Sequence, residues 1–405
     1  MNPAKYLSLL RLPGIRPAML LMLLARIPTT ASGMTLTLHV VLSLDRGYGA
    51  AGLVGTASTI GIALGAPLMG RLTDRRGLRT MLALSTVTEG LFWFTAPALS
   101  YPVLLVTAFL TGLTILPVMS IGRQVLTALT PVDHRRTALA MDSMAVEVAY
   151  MAGPALAVLL TTSASSRTAL WTVGAAMVAA GIALWIANPP VRSEEEETHA
   201  ERPPRREWLT APVLGVLVTS CGAILVLAGM EVSLVAALQE QGQIQWTGPL
   251  VIVMCAASLM GGFIYGGLTN APTPRTLMAS LGLLAIPVGL ASDNLWLLAA
   301  ALVPANMLAA PVIASTGEVI TKLTPASVRG EAMGLQGSAF TLGAAAGAPL
   351  AGFVIDHSSS GWGFAATGAA GAAIAALGAA LDHRAKHTTK NNEKADPQPT
   401  SQSLP

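Results

Sequence analysis

Long apolar runs separated by short polar connectors dominate this chain. Twelve stretches are mostly apolar over about twenty residues, the length a helix needs to cross a bilayer core: 17–43, 51–69, 78–99, 102–129, 138–161, 169–187, 210–238, 246–268, 273–291, 295–323, 332–355 and 362–381. The ninth is short. One connector breaks the rhythm. Segment 188–208 holds Pro189, Pro190, Pro203, Pro204 and an acidic run at 194–197, which reads as a solvated linker between two groups of six spans. The chain therefore divides into 1–187, the linker 188–208, a second bundle 209–382, and a polar tail 383–405 expected to be disordered.

Composition sharpens this pattern. Hydrophobic residues make up 53% and charged residues 11%, where soluble proteins carry about 25% charged. The class is an all-α membrane protein with twelve transmembrane helices. Twenty of the twenty-four Lys and Arg residues fall on the side of the amino terminus, Arg46 and Arg167 on the other, and Arg26 and Arg123 inside spans. Basic residues concentrate on the cytoplasmic side, so both termini are expected in the cytoplasm and the protein in the inner membrane. The basic residues form no single patch, and nucleic acid is not a suggested partner. Cys221 and Cys255 both lie in apolar runs and read as small buried hydrophobes.

The two groups of spans echo each other. Ser32-Gly33-Met34 returns as Ala228-Gly229-Met230 and Gly70-Arg71-Leu72-Thr73 as Gly266-Gly267-Leu268-Thr269, both 196 positions on. Leu129-Thr130-Pro131 returns as Leu323-Thr324-Pro325 at 194. Duplication of one six-helix unit into two pseudo-symmetric bundles is the simplest source of three matches so nearly in register.

Between spans 2 and 3 runs Gly70-Arg71-Leu72-Thr73-Asp74-Arg75-Arg76-Gly77-Leu78-Arg79, a rigid basic hairpin with glycines at its turn. With Gly70, Leu72, Asp74, Gly77 and Arg79 in place, it resembles the signature loop of the major facilitator superfamily of secondary transporters. The resemblance implies a substrate path between the two halves near the midplane. It also implies that Asp74 latches the halves at the start of span 11, where the helix dipole favours an anion, while Arg75 and Arg79 hold the loop or touch lipid phosphates. Plain positive-inside topology explains Arg76 but not the acid. Asn270, at the matching place in the second half, carries no charge, so its latch is expected to be weaker. Gly153-Pro154 in span 5 resembles the bend of the superfamily's exporters, although Ala157 and Val158 stand where a glycine pair is usual.

A charge inside a bilayer needs a partner or a water-filled cavity. The candidates are Arg26, His39, Glu89, Arg123, Asp142, Glu147, Glu231 and Glu318. Arg26 and Glu147 lie at similar depth in spans that the resemblance places side by side. They are expected to pair, with Asp142 one to two turns below, either as a proton or substrate switch or as a static pin between helices. Glu231 replaces the Thr35 equivalent and either binds a cation or proton or sits hydrated near the outer end of span 7. Glu89 either serves coupling or bonds a neighbouring helix, and His39 is expected at the interface. Arg123, Asp142 and Glu318 are placed near the cytoplasmic ends. No phosphate-cradling GxxxxGK[ST] loop and no Cys/His metal spacing occurs in the sequence, so neither an ATP-driven pump nor an enzyme is suggested, and no cofactor is expected beyond the proton gradient. The expected activity is proton-coupled efflux of small amphipathic molecules by a monomer, through a cavity lined by methionines such as Met34 and Met230. The alternatives are import of a sugar or metabolite, or a membrane sensor that transports nothing.

Overall fold

The computed structural model describes residues 3–192 and 203–395. Every regular element among them is helical. A short helix, Pro3–Arg11, leads into span 1 (Ile15–Leu42), span 2 (Tyr48–Arg76), span 3 (Leu78–Thr95), span 4 (Tyr101–Leu129), span 5 (Arg135–Ser163) and span 6 (Ser166–Ala187). The second set is span 7 (Ala211–Glu240), span 8 (Thr247–Gly267), span 9 (Pro274–Ala291), span 10 (Leu295–Leu323), span 11 (Arg329–His357) and span 12 (Ser360–Ala395). Among the described residues, ten helical stretches are, by length and apolar composition, able to cross a membrane. The even number of crossings puts the leading helix and the end of span 12 on one side, called here the termini face; the opposite side is the far face.

The predicted spans are recovered with three differences. Spans 4 and 10 are each two helices, interrupted at 115–117 and at Met307 and Leu308. The leading helix has no counterpart in the apolar pattern, because nine residues are too few to register as a span. The final helix continues to Ala395, so the tail expected to be disordered is helical that far, and 396–405 lie outside the described residues. Of the linker, the acidic run also lies outside them. Its end is anchored: Trp208 is buried against Val216, Ile320 and Met333.

The interruptions show the duplication in physical terms. Proline has no N–H to give the carbonyl four residues earlier. Pro117 thereby frees Leu113 O and Pro311 frees Met307 O. Each freed carbonyl packs against a glycine of the neighbouring helix, Gly65 in span 2 and Gly261 in span 8, where a β-carbon would collide with it. The glycines are 196 residues apart and the prolines 194. Spans 5 and 11, each 29 residues long, also begin 194 apart after matching single 3-10 turns. Each half has its own apolar core, around Trp93, Leu104 and Leu170 in the first and Met278, Leu281 and Phe364 in the second. Met230 belongs to the second core and is fully buried; Met34 is exposed.

Candidate functional site: the cleft between the halves

Two carboxylates and a charged floor organise the cleft. The floor is built on Asp142 of span 5, which is 1% exposed, as is Arg26 of span 1. Arg26 Nη2 donates to Asp142 Oδ1 at 2.5 Å. The other oxygen, Oδ2, stands 3.8 Å from Arg123 Nε of span 4 and accepts no hydrogen bond among the described residues. Arg123 Nη1 reaches across the midline to Gln336 Oε1 of span 11 at 2.9 Å. Gln336 in turn donates to Thr316 of span 10 at 3.0 Å. One chain of polar contacts thus ties spans 1, 4 and 5 to spans 10 and 11. Opposite Arg26 stands Gly122, where a β-carbon would meet the guanidinium.

Arg26 therefore pairs with Asp142, not with Glu147 as depth alone suggested. The reason is side-chain direction. A helical side chain leans toward the helix amino terminus, and span 1 starts at the termini face, so a long arginine meets its partner about one turn lower. Five residues on, Glu147 is turned roughly 140° around span 5, at about 100° per residue. Nor do Arg123 and Asp142 reach the interface; both are buried.

Glu147 instead faces the second half. Its Oε1 accepts from Ser258 Oγ of span 8 at 2.7 Å, and Ser258 Oγ accepts from Ala310 N, just past the break in span 10, at 3.1 Å. Glu147 and Glu231 line one small pocket of about 70 Å³, with Met254, Cys255, Ser258 and Asn306. Such a space suits a few waters, each needing roughly 10–15 Å³. Glu231 also lines an open pocket of about 520 Å³ toward the far face, with Val232, Val235, Ile355 and Asp356. It is the one residue common to these two pockets. Tyr150, one turn above Glu147, is 58% exposed.

Nearer the termini face the halves are shut. Asp74 Oδ1 accepts from Gly330 N at 3.0 Å and Oδ2 from Glu331 N at 2.8 Å, capping the start of span 11. That approach requires Gly70, since a β-carbon there would strike Gly330 O. Arg192 Nη2 donates to Asp74 O at 3.1 Å and to Ser327 O at 3.3 Å. Glu331 pairs with Arg205 and lies 3.9 Å from Arg71. Within the loop, Leu72 packs on a separate apolar cluster around Met69, Met81 and Leu82, Gly77 turns the chain at φ 82°, and Arg79 stacks on Trp185 with 5.2 Å to the ring. Arg75 is exposed.

The second half closes differently from expectation. Asn270 is exposed, and the contact there is of opposite polarity, a base of the first half on the carbonyls that follow span 8. Arg136 Nη1 donates to Leu268 O at 3.2 Å and Thr269 O at 3.0 Å, and its Nε to Glu318 Oε2 at 3.1 Å. Thr137 donates to Gly266 O at 2.7 Å.

Three candidates stand away from the cleft. Glu89 accepts from Leu116 N at 2.6 Å, the N–H exposed by the break in span 4. His39 is buried on Ser166 at 3.0 Å rather than interfacial. Gly153, beside Pro154, admits span 1 so closely that a β-carbon would hit Thr30, whose hydroxyl donates to Ala149 O at 2.7 Å. Sequence reasoning missed Tyr150, Ser258 and Gln336. A lone amide in an apolar span and a tyrosine one turn from a buried acid were the available signals.

The model of the Major Facilitator Superfamily matches residues 18–271 and 213–403. Among curated proteins no sequence match is found. Among solved structures, the human organic anion transporter MFSD10 (TETRAN) is similar at 17% identity over 91% of this chain and 99% of that one, with a TM-score of 0.70. A bacterial homologue of the iron transporter ferroportin in the outward-facing state matches at 13% identity, 91% and 99% coverage and a TM-score of 0.71. The proton:xylose symporter XylE matches at 14%, 93% and 96%, with a TM-score of 0.69. At such identities the likeness establishes the fold alone.

Proposed function

The chain belongs to the major facilitator superfamily, and from that premise we propose that it exports a small amphipathic molecule in exchange for protons, by rocking its halves about the cleft. The observation that carries this reading is the pocket shared by Glu147 and Glu231. It has room for water and a proton but not for cargo, and through Glu231 it communicates with the wider apolar pocket above. The excess of Lys and Arg on the termini face argues that this face is cytoplasmic, which makes the present conformer outward-facing and loads the carboxylates from outside. In this scheme Glu231 takes the proton first and passes it to Glu147. Once neutral, Glu147 gives up no charge stabilisation when it leaves Ser258, and the halves are free to part below it. Cargo then enters from the cytoplasm, and deprotonation resets the pair. The protein works as a monomer in the inner membrane.

The test is transport in proteoliposomes under an imposed pH gradient. The panel holds lipophilic cations, neutral antibiotics, an organic anion and a xylose-type sugar, the last two because similar folds carry them. Acceleration of an amphipathic compound by the gradient, lost in Glu147→Gln and Glu231→Gln, supports the reading. A sugar moving down its own gradient at the same rate in both variants would replace it with a facilitator.

A further inference from the structure

The carboxyl end of span 8 leaves carbonyls that its own helix cannot satisfy. Their donors come largely from the first half. Thr137 takes Gly266 O and Arg136 takes Leu268 O and Thr269 O. Lys5, in the leading helix, donates to Gly267 O at 3.2 Å. Beside it Tyr6 donates its hydroxyl to Phe263 O and stacks on the Phe263 ring, 4.7 Å between centroids and 19° between planes. The hydroxyl fits only because residue 266 is glycine; a β-carbon there would collide with it. Burial pushes the Tyr6 hydroxyl up to about 12, so it remains a neutral donor throughout the physiological range.

The same leading helix is fastened to the first half. Leu9, fully buried, packs with Ile15, Leu126 and Ala138. The joint to span 1 turns at Gly14, whose φ of 80° disfavours any side chain. One face of a nine-residue helix is thus rooted in the first half and the other is plugged into the end of span 8 in the second.

We propose that Pro3–Arg11 is a strap that holds the termini face shut and must come off span 8 each time that face opens. It complements the Asp74 latch in sign. An acid of the first half sits on the positive end of span 11, while Lys5 and Arg136 of the first half sit on the negative end of span 8. Parting the halves exposes both helix ends at once, so releasing the strap weakens a closure that it does not touch.

That remote effect is the test. Amide exchange of Gly330 and Glu331, whose N–H groups Asp74 holds, is followed by mass spectrometry on the full chain in liposomes. Lys5→Ala with Tyr6→Ala is expected to speed exchange there roughly tenfold. Lys5→Cys with Leu268→Cys, bridged by a bismaleimide in a Cys221→Ser, Cys255→Ser background, is expected to slow it below the same protein with each thiol singly capped. Exchange at Gly330 and Glu331 that responds to neither change, with any rise confined to 263–269, overturns the strap. The measurement needs neither cargo nor a proton gradient, so its outcome is independent of the transport chemistry proposed above.

Discussion

At Asp142 two buried arginines share one carboxylate, Arg26 at 2.5 Å and Arg123 at 3.8 Å. The consequences of removing each member differ. Without Arg26, Arg123 is already in place to take the acid, leaving a neutral pair. Without Asp142, two cations remain out of water, Arg26 on a backbone carbonyl and Arg123 on the Gln336 amide and the Phe340 ring. Removing one partner of a buried pair costs about 3–5 kcal/mol. Asp142→Asn should therefore show the full loss in thermal unfolding of the detergent-solubilised protein, and Arg26→Met distinctly less. The reverse order would mean that Arg123 does not compensate. Glu89 makes a quieter case. Truncation to Ala orphans the Leu116 N–H, with a loss of about 1–3 kcal/mol, while the exchange with protons proposed above should be unchanged per folded molecule, because Glu89 bonds within the first half.

At the scale of elements, helix ends and helix breaks carry the design. Span 2 can deliver Asp74 to the start of span 11 only while Gly70 lies against Gly330. Two changes should therefore have one effect. Asp74→Ala deletes charge-assisted hydrogen bonds worth about 1.5–3 kcal/mol each, and Gly70→Ala wedges the helices apart without touching a charge. Both should lengthen the distance between spin labels at positions 76 and 273 on the termini face. If Gly70→Ala leaves that distance distribution as in the wild type, close helix approach is not what seats the acid. The breaks in spans 4 and 10 likewise share one cause, a proline that frees a carbonyl four residues back and a glycine on the adjacent helix that receives it.

For the whole molecule, closure is concentrated at the termini face and the cleft is polar at two levels: the charged floor on Asp142 and the carboxylates above it. The floor is tied across the midline through Gln336, so the rocking proposed above requires it to break. Gln336→Leu removes the acceptor for Arg123 and the donor for Thr316 together. It should raise the fraction open at the termini face, seen with the same spin labels, without lowering the unfolding temperature as far as Asp142→Asn does. By contrast Glu147→Gln and Glu231→Gln replace carboxylates with isosteric amides facing water. They should leave the unfolding temperature within a degree or two while abolishing the response to a pH gradient, consistent with about ±0.5 kcal/mol for substitutions that break no buried pair.

What the chain determines by itself is whatever depends on local order along it. Span lengths, the basic bias of one face, the duplication near 196 residues and the Asp74 loop all follow from which residue types succeed each other, because bilayer thickness and proline chemistry act on short segments. Partnerships were decided only by tertiary structure. Whether Arg26 meets Asp142 or Glu147, why Asn270 has no need of a charge, and how Lys5 and Tyr6 come to hold span 8 depend on helix rotation and side-chain lean, a few ångströms summed over whole helices. A count of residues along a span gives depth but not azimuth, and it is azimuth that selects the partner.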